Sequence, residues 1–214
     1  MKQSDEKVII WSGASEDDAS IFKAIVKDYF AYKLSVYPSL KKLCQDSPEF
    51  AMAHILKGYL LLSMGTQGTI PGAAAAASHV ESLLNNLTKN EICHLEALKA
   101  WIDGDTDVAC HHWDTISIDN PHDLLAIKLQ HFSLFWMGRP DHMCDVIARV
   151  KPHWNSKMSG YANLLGMESF ALEEMGQYKD AEKLGRTAVE MDPDDLWAIH
   201  AVAHVYEMQN NLDA

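Results

Sequence analysis

The sequence predicts an all-α fold, a right-handed α-solenoid (superhelix) built from stacked helix pairs. Three observations predict it. Glycines stand at Gly65, Gly104, Gly138 and Gly176, spaced 39, 34 and 38 residues apart. Each closes a stretch of about fifteen residues whose apolar positions recur at helical spacing. Pro48, Pro121 and Pro193 stand near the ends of helices of this kind. Such a period, with a turn glycine midway and a proline at the close, marks helix pairs that bury their apolar faces only by stacking on neighbours.

The first pair spans about 15-47. Ser15 and Asp18 read as a capping box, and Ile21, Ala24, Ile25, Tyr29 and Tyr32 follow at helical spacing. A second helix runs from about Tyr37 or Pro38 to Gln45. Ser47-Pro48 reads as an N-cap followed by proline at the first helical position. It opens the second pair, about 48-88, in which Ala53, Leu56, Gly58 and Leu61 share a face before the turn at Gly65. Pro71 then opens a helix whose alanine run is strongly helix-forming and reads as close helix packing.

The third pair, about 89-120, is the most regular. Thr88 and Glu91 form a capping box, and Ala97, Gly104, Ala109, Trp113 and Pro121 take small, turn, small, aromatic and stop positions. That order is the pattern of a tetratricopeptide (TPR) unit. The fourth pair, about 121-155, turns at Gly138-Arg139-Pro140. His131 stands where a small residue is usual, so it either loosens this pair or hydrogen-bonds across it. The linker KPHWNSKMSG leads to the fifth pair, about 159-192, with Gly176, Tyr178, Ala181, Ala188 and Pro193. A partial unit, 193-214, keeps its first helix and stops just inside the second. Half a repeat leaves an apolar face exposed. The expectation is therefore a single TPR-like repeat array over 1-214 that is the N-terminal part of a longer chain; the alternative is that another chain covers the end.

From about Asp46 onward the chain resembles the tetratricopeptide repeat protein 38 family. The resemblance rests on FAMAHILKG, on EICHLEALKAWIDGDTDVACHHWDTISIDNPHDLLAIKLQH, on YKDAEKLGRTAVEMDPDD and above all on WAIHAVAHVYEMQ. It implies an all-helical TPR array in a longer, soluble protein with no established enzymatic activity. The chain departs from the family pattern by ending early, and by carrying Asn210-Asn211 where a glycine turn is expected.

The formal net charge of −12 disfavours nucleic acid; it either suits a basic peptide or a neutral ligand or only keeps a helical array soluble. No apolar run approaches the length of a membrane span. The first residues, MKQSDEKVII, lack the apolar core of a signal peptide. Cys44, Cys93, Cys110 and Cys144 form no CxxC pair and read as reduced thiols of a cytoplasmic protein. Glycine-rich phosphate loops and nucleophile elbows are missing, so neither a cofactor nor a catalytic residue is expected.

In a TPR array the first helix of each pair faces the concave side. Helical spacing places His94, Trp101, Lys128, Phe132, Phe135, Trp136, Phe170, Glu173, His200, His204 and Glu207 there. These residues read as a ligand groove with aromatic anchors; alternatively a tight superhelix, or the C-terminal remainder of a longer chain, buries the aromatics as core. Glu173-Glu174 reads as a solvated pair. Lys128 is the one basic residue of the set, so the clamp that grips an acidic C-terminal peptide is not expected. His200, His204 and Glu207, spaced His-x3-His-x2-Glu, share one helix face. They read as a hydrogen-bonded bridge between repeats or as metal ligands. The expected function is a non-catalytic scaffold holding a protein or peptide in the groove. The alternative is a metal- or small-molecule-binding protein, or an enzyme, centred on those three residues. The exposed face of the C-terminal helix also offers a homodimer contact.

Overall fold

A computed structural model of the chain describes residues 11–211. Among the described residues there are eleven α-helices and no strand. They are α1 (Glu16–Phe30), α2 (Val36–Asp46), α3 (Ala51–Ser63), α4 (Ile70–Glu81), α5 (Lys89–Ile102), α6 (Thr106–Asp119), α7 (Leu124–Trp136), α8 (Pro140–Val150), α9 (Tyr161–Glu174), α10 (Tyr178–Met191) and α11 (Leu196–Met208). Consecutive helices pack on each other, and first helices also pack on those of the next unit, as α3 does on α5 and α9 on α11. This is an α-solenoid of helix pairs. One apolar cluster runs without a break from Phe22 to Ala201, as stacking of units requires. Among the described residues no helix is long and apolar enough to cross a membrane.

Local chemistry explains the helix ends. Gly65, Gly104, Gly138 and Gly176 all take φ between 65° and 81°, and a Cβ at each would meet nothing within 4 Å. Glycine is needed at these turns for backbone conformation and not for space. Asn210 takes the same left-handed conformation after α11, at φ 54°, which asparagine tolerates better than most residues. Ser15–Asp18 and Thr88–Glu91 form complete capping boxes on α1 and α5. Pro71 stands in the first turn of α4, whose Ala73, Ala76 and Ala77 are buried against neighbouring helices.

Three expectations need correction. Helix α3 begins at Ala51 and not at Pro48. Phe50 takes the N-cap position because its buried ring packs between Phe22 and Trp11, with centroids 5.1 and 6.0 Å away. Ser47 ends α2 and donates its hydroxyl to Asp18 at 2.6 Å. Secondly, α1 buries Phe22, Ile25 and Phe30 and leaves Ile21 and Ala24 outside. The Trp11–Phe22–Phe50 cluster sets the rotation of this end helix. Thirdly, Tyr32 lies beyond the end of α1, in a left-handed conformation with φ 53°.

Polar bolts join successive units. Asp123 caps α7 and accepts from Asn90 of α5 at 2.9 Å. Asp195 caps α11 and accepts from Asn163 of α9 at 3.0 Å. His131 is fully buried, and its Nε2 lies 2.9 Å from the Met167 carbonyl of α9, so it donates across the unit boundary. Burial pushes His131 down to about 3, with Lys128 adding to the effect, so the ring is neutral.

Candidate functional site

The predicted groove residues fall into three environments. His94, Lys128, Phe170 and Glu173 are buried; Trp101, Phe132, Phe135 and His204 are half-buried; Trp136, His200 and Glu207 are exposed. The predicted set is thus partly core and partly surface.

His94 belongs to a buried chain of hydrogen bonds. Trp113 donates to the Tyr59 hydroxyl at 3.1 Å, and Tyr59 donates to the His94 carbonyl at 2.7 Å. His94 Nε2 lies 3.2 Å from an Asp123 carboxylate oxygen. Burial raises the Asp123 carboxyl, but His94, Asn90 and the backbone of α7 together hold it below the usual carboxylate value. His94 therefore bridges units, and Trp101 packs on the same chain with its ring 5.5 Å from that of Trp113.

Lys128 is 3% exposed. Its ammonium lies 3.5 Å from the Trp197 ring centroid and 5.4 Å from that of Tyr32. The Tyr32 and Trp197 rings lie nearly parallel, 6.4 Å apart. The turn that follows α1 thus reaches α11 over Lys128. Burial pushes the lysine amine down to about 7, while Asp195 works against the shift. Phe170 packs beneath Trp197 at 4.7 Å. Lys128 and Phe170 are both buried between helices. Neither Tyr32 nor Trp197 is among the predicted groove residues, since they meet between units distant in the chain and not through spacing within a helix.

Trp136 is the opposite case. It ends α7 with 71% of its surface exposed. Phe135 and Phe132 support it from beneath, with ring centroids 5.3 and 5.9 Å away. The result is an aromatic platform open to solvent.

Beyond Phe170 lies an acidic, histidine-lined end. Glu173 is 4% exposed and not a solvated carboxylate, because α11 lies over the end of α9. Its Oε2 has no hydrogen-bond partner and stands 3.6 Å from His204 Nδ1. Burial raises the Glu173 carboxyl, Glu174 adds to this, and His204 opposes it. The His200 and His204 rings are 4.2 Å apart and flank Phe170. Burial and the neighbouring His204 lower the His200 value. His200, His204 and Glu207 do not converge as a ligand set. Among the described residues, the three metal-type donors that come within 4.8 Å of one another are Glu173, Glu174 and His204. Glu207 stays at the surface, and its place is taken by side chains from α9. A donor set split between helices is invisible to spacing along one helix.

Elsewhere, α10 and α11 enclose a shallow outer groove of about 340 Å³ between Val189, Ile199, Val202 and Tyr206. The thiols of Cys44 and Cys110 are pushed up by burial to about 11 and about 12, which excludes them as ready nucleophiles.

No family model matches the chain. A solved tetratricopeptide repeat protein from Parabacteroides merdae ATCC 43184 superposes with a TM-score of 0.50 at 15% identity, over 92% of this chain and 75% of that one. The P58(IPK) TPR domain matches with a TM-score of 0.42 at 18% identity, over 90% of this chain and 54% of that one. The first likeness gives the fold: the chain is an α-solenoid of the TPR type.

Proposed function

We propose that this chain is a non-catalytic TPR scaffold, one array of helix pairs working in the cytoplasm, that holds a protein or peptide segment on its concave side. We also infer that it is a member of the tetratricopeptide repeat protein 38 family, on the sequence strings quoted above. The observation that carries the binding reading is the platform of Trp136 on Phe132 and Phe135. An aromatic side chain this exposed and this well supported offers a large contact area at little entropic cost. The favoured occupant is neutral or basic and presents an apolar side chain. The net charge of −12 repels acidic segments. Lys128, the one base of the predicted groove, is engaged beneath Trp197 and Tyr32 and offers no carboxylate clamp.

The test is selection of peptides from a random library on the folded chain, followed by affinity measurement on variants. Trp136→Ala weakens the selected peptides by about 2 kcal/mol, roughly 30-fold, as for an interface hot spot. Ile118→Ala, which trims an exposed apolar residue of α6, leaves affinity unchanged. Equal affinity for wild type and Trp136→Ala would remove the platform from the argument.

A further inference from the structure

We propose that Glu173, Glu174 and His204 bind a divalent first-row transition-metal ion, of the zinc or manganese class, at the C-terminal end of α9. A single ring, Phe170, lies between this site and Phe135 of the aromatic platform, and metal binding here does not depend on peptide binding there.

The strongest observation is the unpartnered oxygen. Glu173 Oε2 is buried without a hydrogen bond, which is costly for a carboxylate. It faces His204 Nδ1 at 3.6 Å, too far for a hydrogen bond. Two donors each about 2.1 Å from a common ion, at an angle of about 110–120°, stand about 3.4–3.6 Å apart. The gap that fails as a hydrogen bond therefore suits a shared ion. Glu174 brings a third donor within the same 4.8 Å sphere.

Three further features favour a cation. Glu174 is the last residue of α9, where the helix dipole presents its negative end. The Phe170 ring, 5.8 Å from that of His204, backs the site with apolar surface and strengthens charge interactions. Two carboxylates and one imidazole, with no thiolate, make a set that zinc, manganese or iron accepts. Glu174 and the neighbouring His200 are exposed, so an ion has a path from solvent and open positions for water or a ligand group.

The competing account is a proton shared between Glu173 and Glu174, or a bare ion pair of Glu173 with His204. Calorimetric titration of the tag-free chain with zinc chloride, then manganese chloride, separates these. One ion binds per chain, and zinc raises the melting temperature. Glu173→Gln and His204→Ala each weaken that binding by about tenfold or more, while Glu207→Gln changes it less than about twofold. Without metal, Glu173→Gln melts no lower than wild type, since it replaces a buried, unpartnered carboxylate by a neutral amide; this shows that its loss of zinc is not a loss of fold. Absence of binding by both ions would overturn the proposal. So would zinc affinity that is the same in Glu173→Gln and His204→Ala as in wild type, or that is lost only in Glu207→Gln.

Discussion

A lysine ammonium beneath two aromatic rings is an expensive group to bury. Lys128 recovers part of the cost from the Trp197 face at 3.5 Å and from the field of Asp195. The remainder appears as the fall of its amine from 10.5 to about 7. The sign of the linkage follows. Below about 7 both folded and unfolded chains carry the charge, and the folded state bears the full penalty. Between about 7 and 10.5 the unfolded chain binds the extra proton, so this residue's contribution to stability rises with pH. Lys128→Met should therefore stabilise the protein by on the order of 2 kcal/mol at pH 6, with a smaller gain at pH 10. Urea denaturation of both proteins at the two pH values measures it. An equal gain at both would mean that Lys128 is not titrating in this window. Reading Lys128 as an open groove residue, as its helix position alone dictates, misses this, because Tyr32 arrives from almost a hundred residues earlier in the chain.

At the scale of elements, the repeat is held by matched polar bolts as well as by apolar packing. Asn90 with Asp123 and Asn163 with Asp195 place the same chemistry at the same kind of junction. In each, an amide on one first helix supports the aspartate that caps the first helix of the next unit. Asp195 is raised by burial, against its backbone and Asn163 hydrogen bonds. Removing one of those donors exposes the desolvation cost. Asn163→Ala should destabilise the chain by about 2 kcal/mol in urea denaturation, the usual penalty for orphaning a buried acceptor. A loss near zero would show that water replaces the amide and that the bolt is incidental. The near-equal spacing of these Asn–Asp pairs was a usable sequence signal. The local devices were easier to read. Capping boxes at Ser15 and Thr88 and the turn glycines act within four or five residues, so the chain itself displays them. The start of α3 is not legible locally for the opposite reason: Phe50 is fixed by Trp11 and Phe22, which no local pattern connects to it. The acidic end of the groove was half legible. His204 lay on the predicted face, but the burial of Glu173 depends on how α11 lies over α9.

At the scale of the whole molecule, the Tyr32–Trp197 contact ties the first pair to the last helix. The helices otherwise pack chiefly on near neighbours, as expected of a quasi-one-dimensional array, although Lys128, His131 and Phe132 of α7 also meet Trp197 of α11. One contact between distant units therefore changes the cooperativity of the whole solenoid. Tyr32 is also strained: a left-handed backbone costs a non-glycine residue about 1–2 kcal/mol. Tyr32→Gly has two effects of opposite sign at different places. It relieves the backbone at the end of α1, and it removes the ring that covers Lys128 and stacks on Trp197. Global stability alone cannot separate them, because they offset. Amide hydrogen exchange can, since the second effect is felt in α11, far along the chain from the substitution. If the stack closes the superhelix, protection of α11 amides falls by about tenfold in Tyr32→Gly, equivalent to about 1.4 kcal/mol of local opening. Small-angle scattering should then show an expanded chain. If the ring is a passive neighbour, α11 exchange is unchanged and only the relief of strain registers, as a modest gain in stability. The first outcome would make the width of the concave side depend on a single aromatic contact. A scaffold built that way could open its groove without melting any helix.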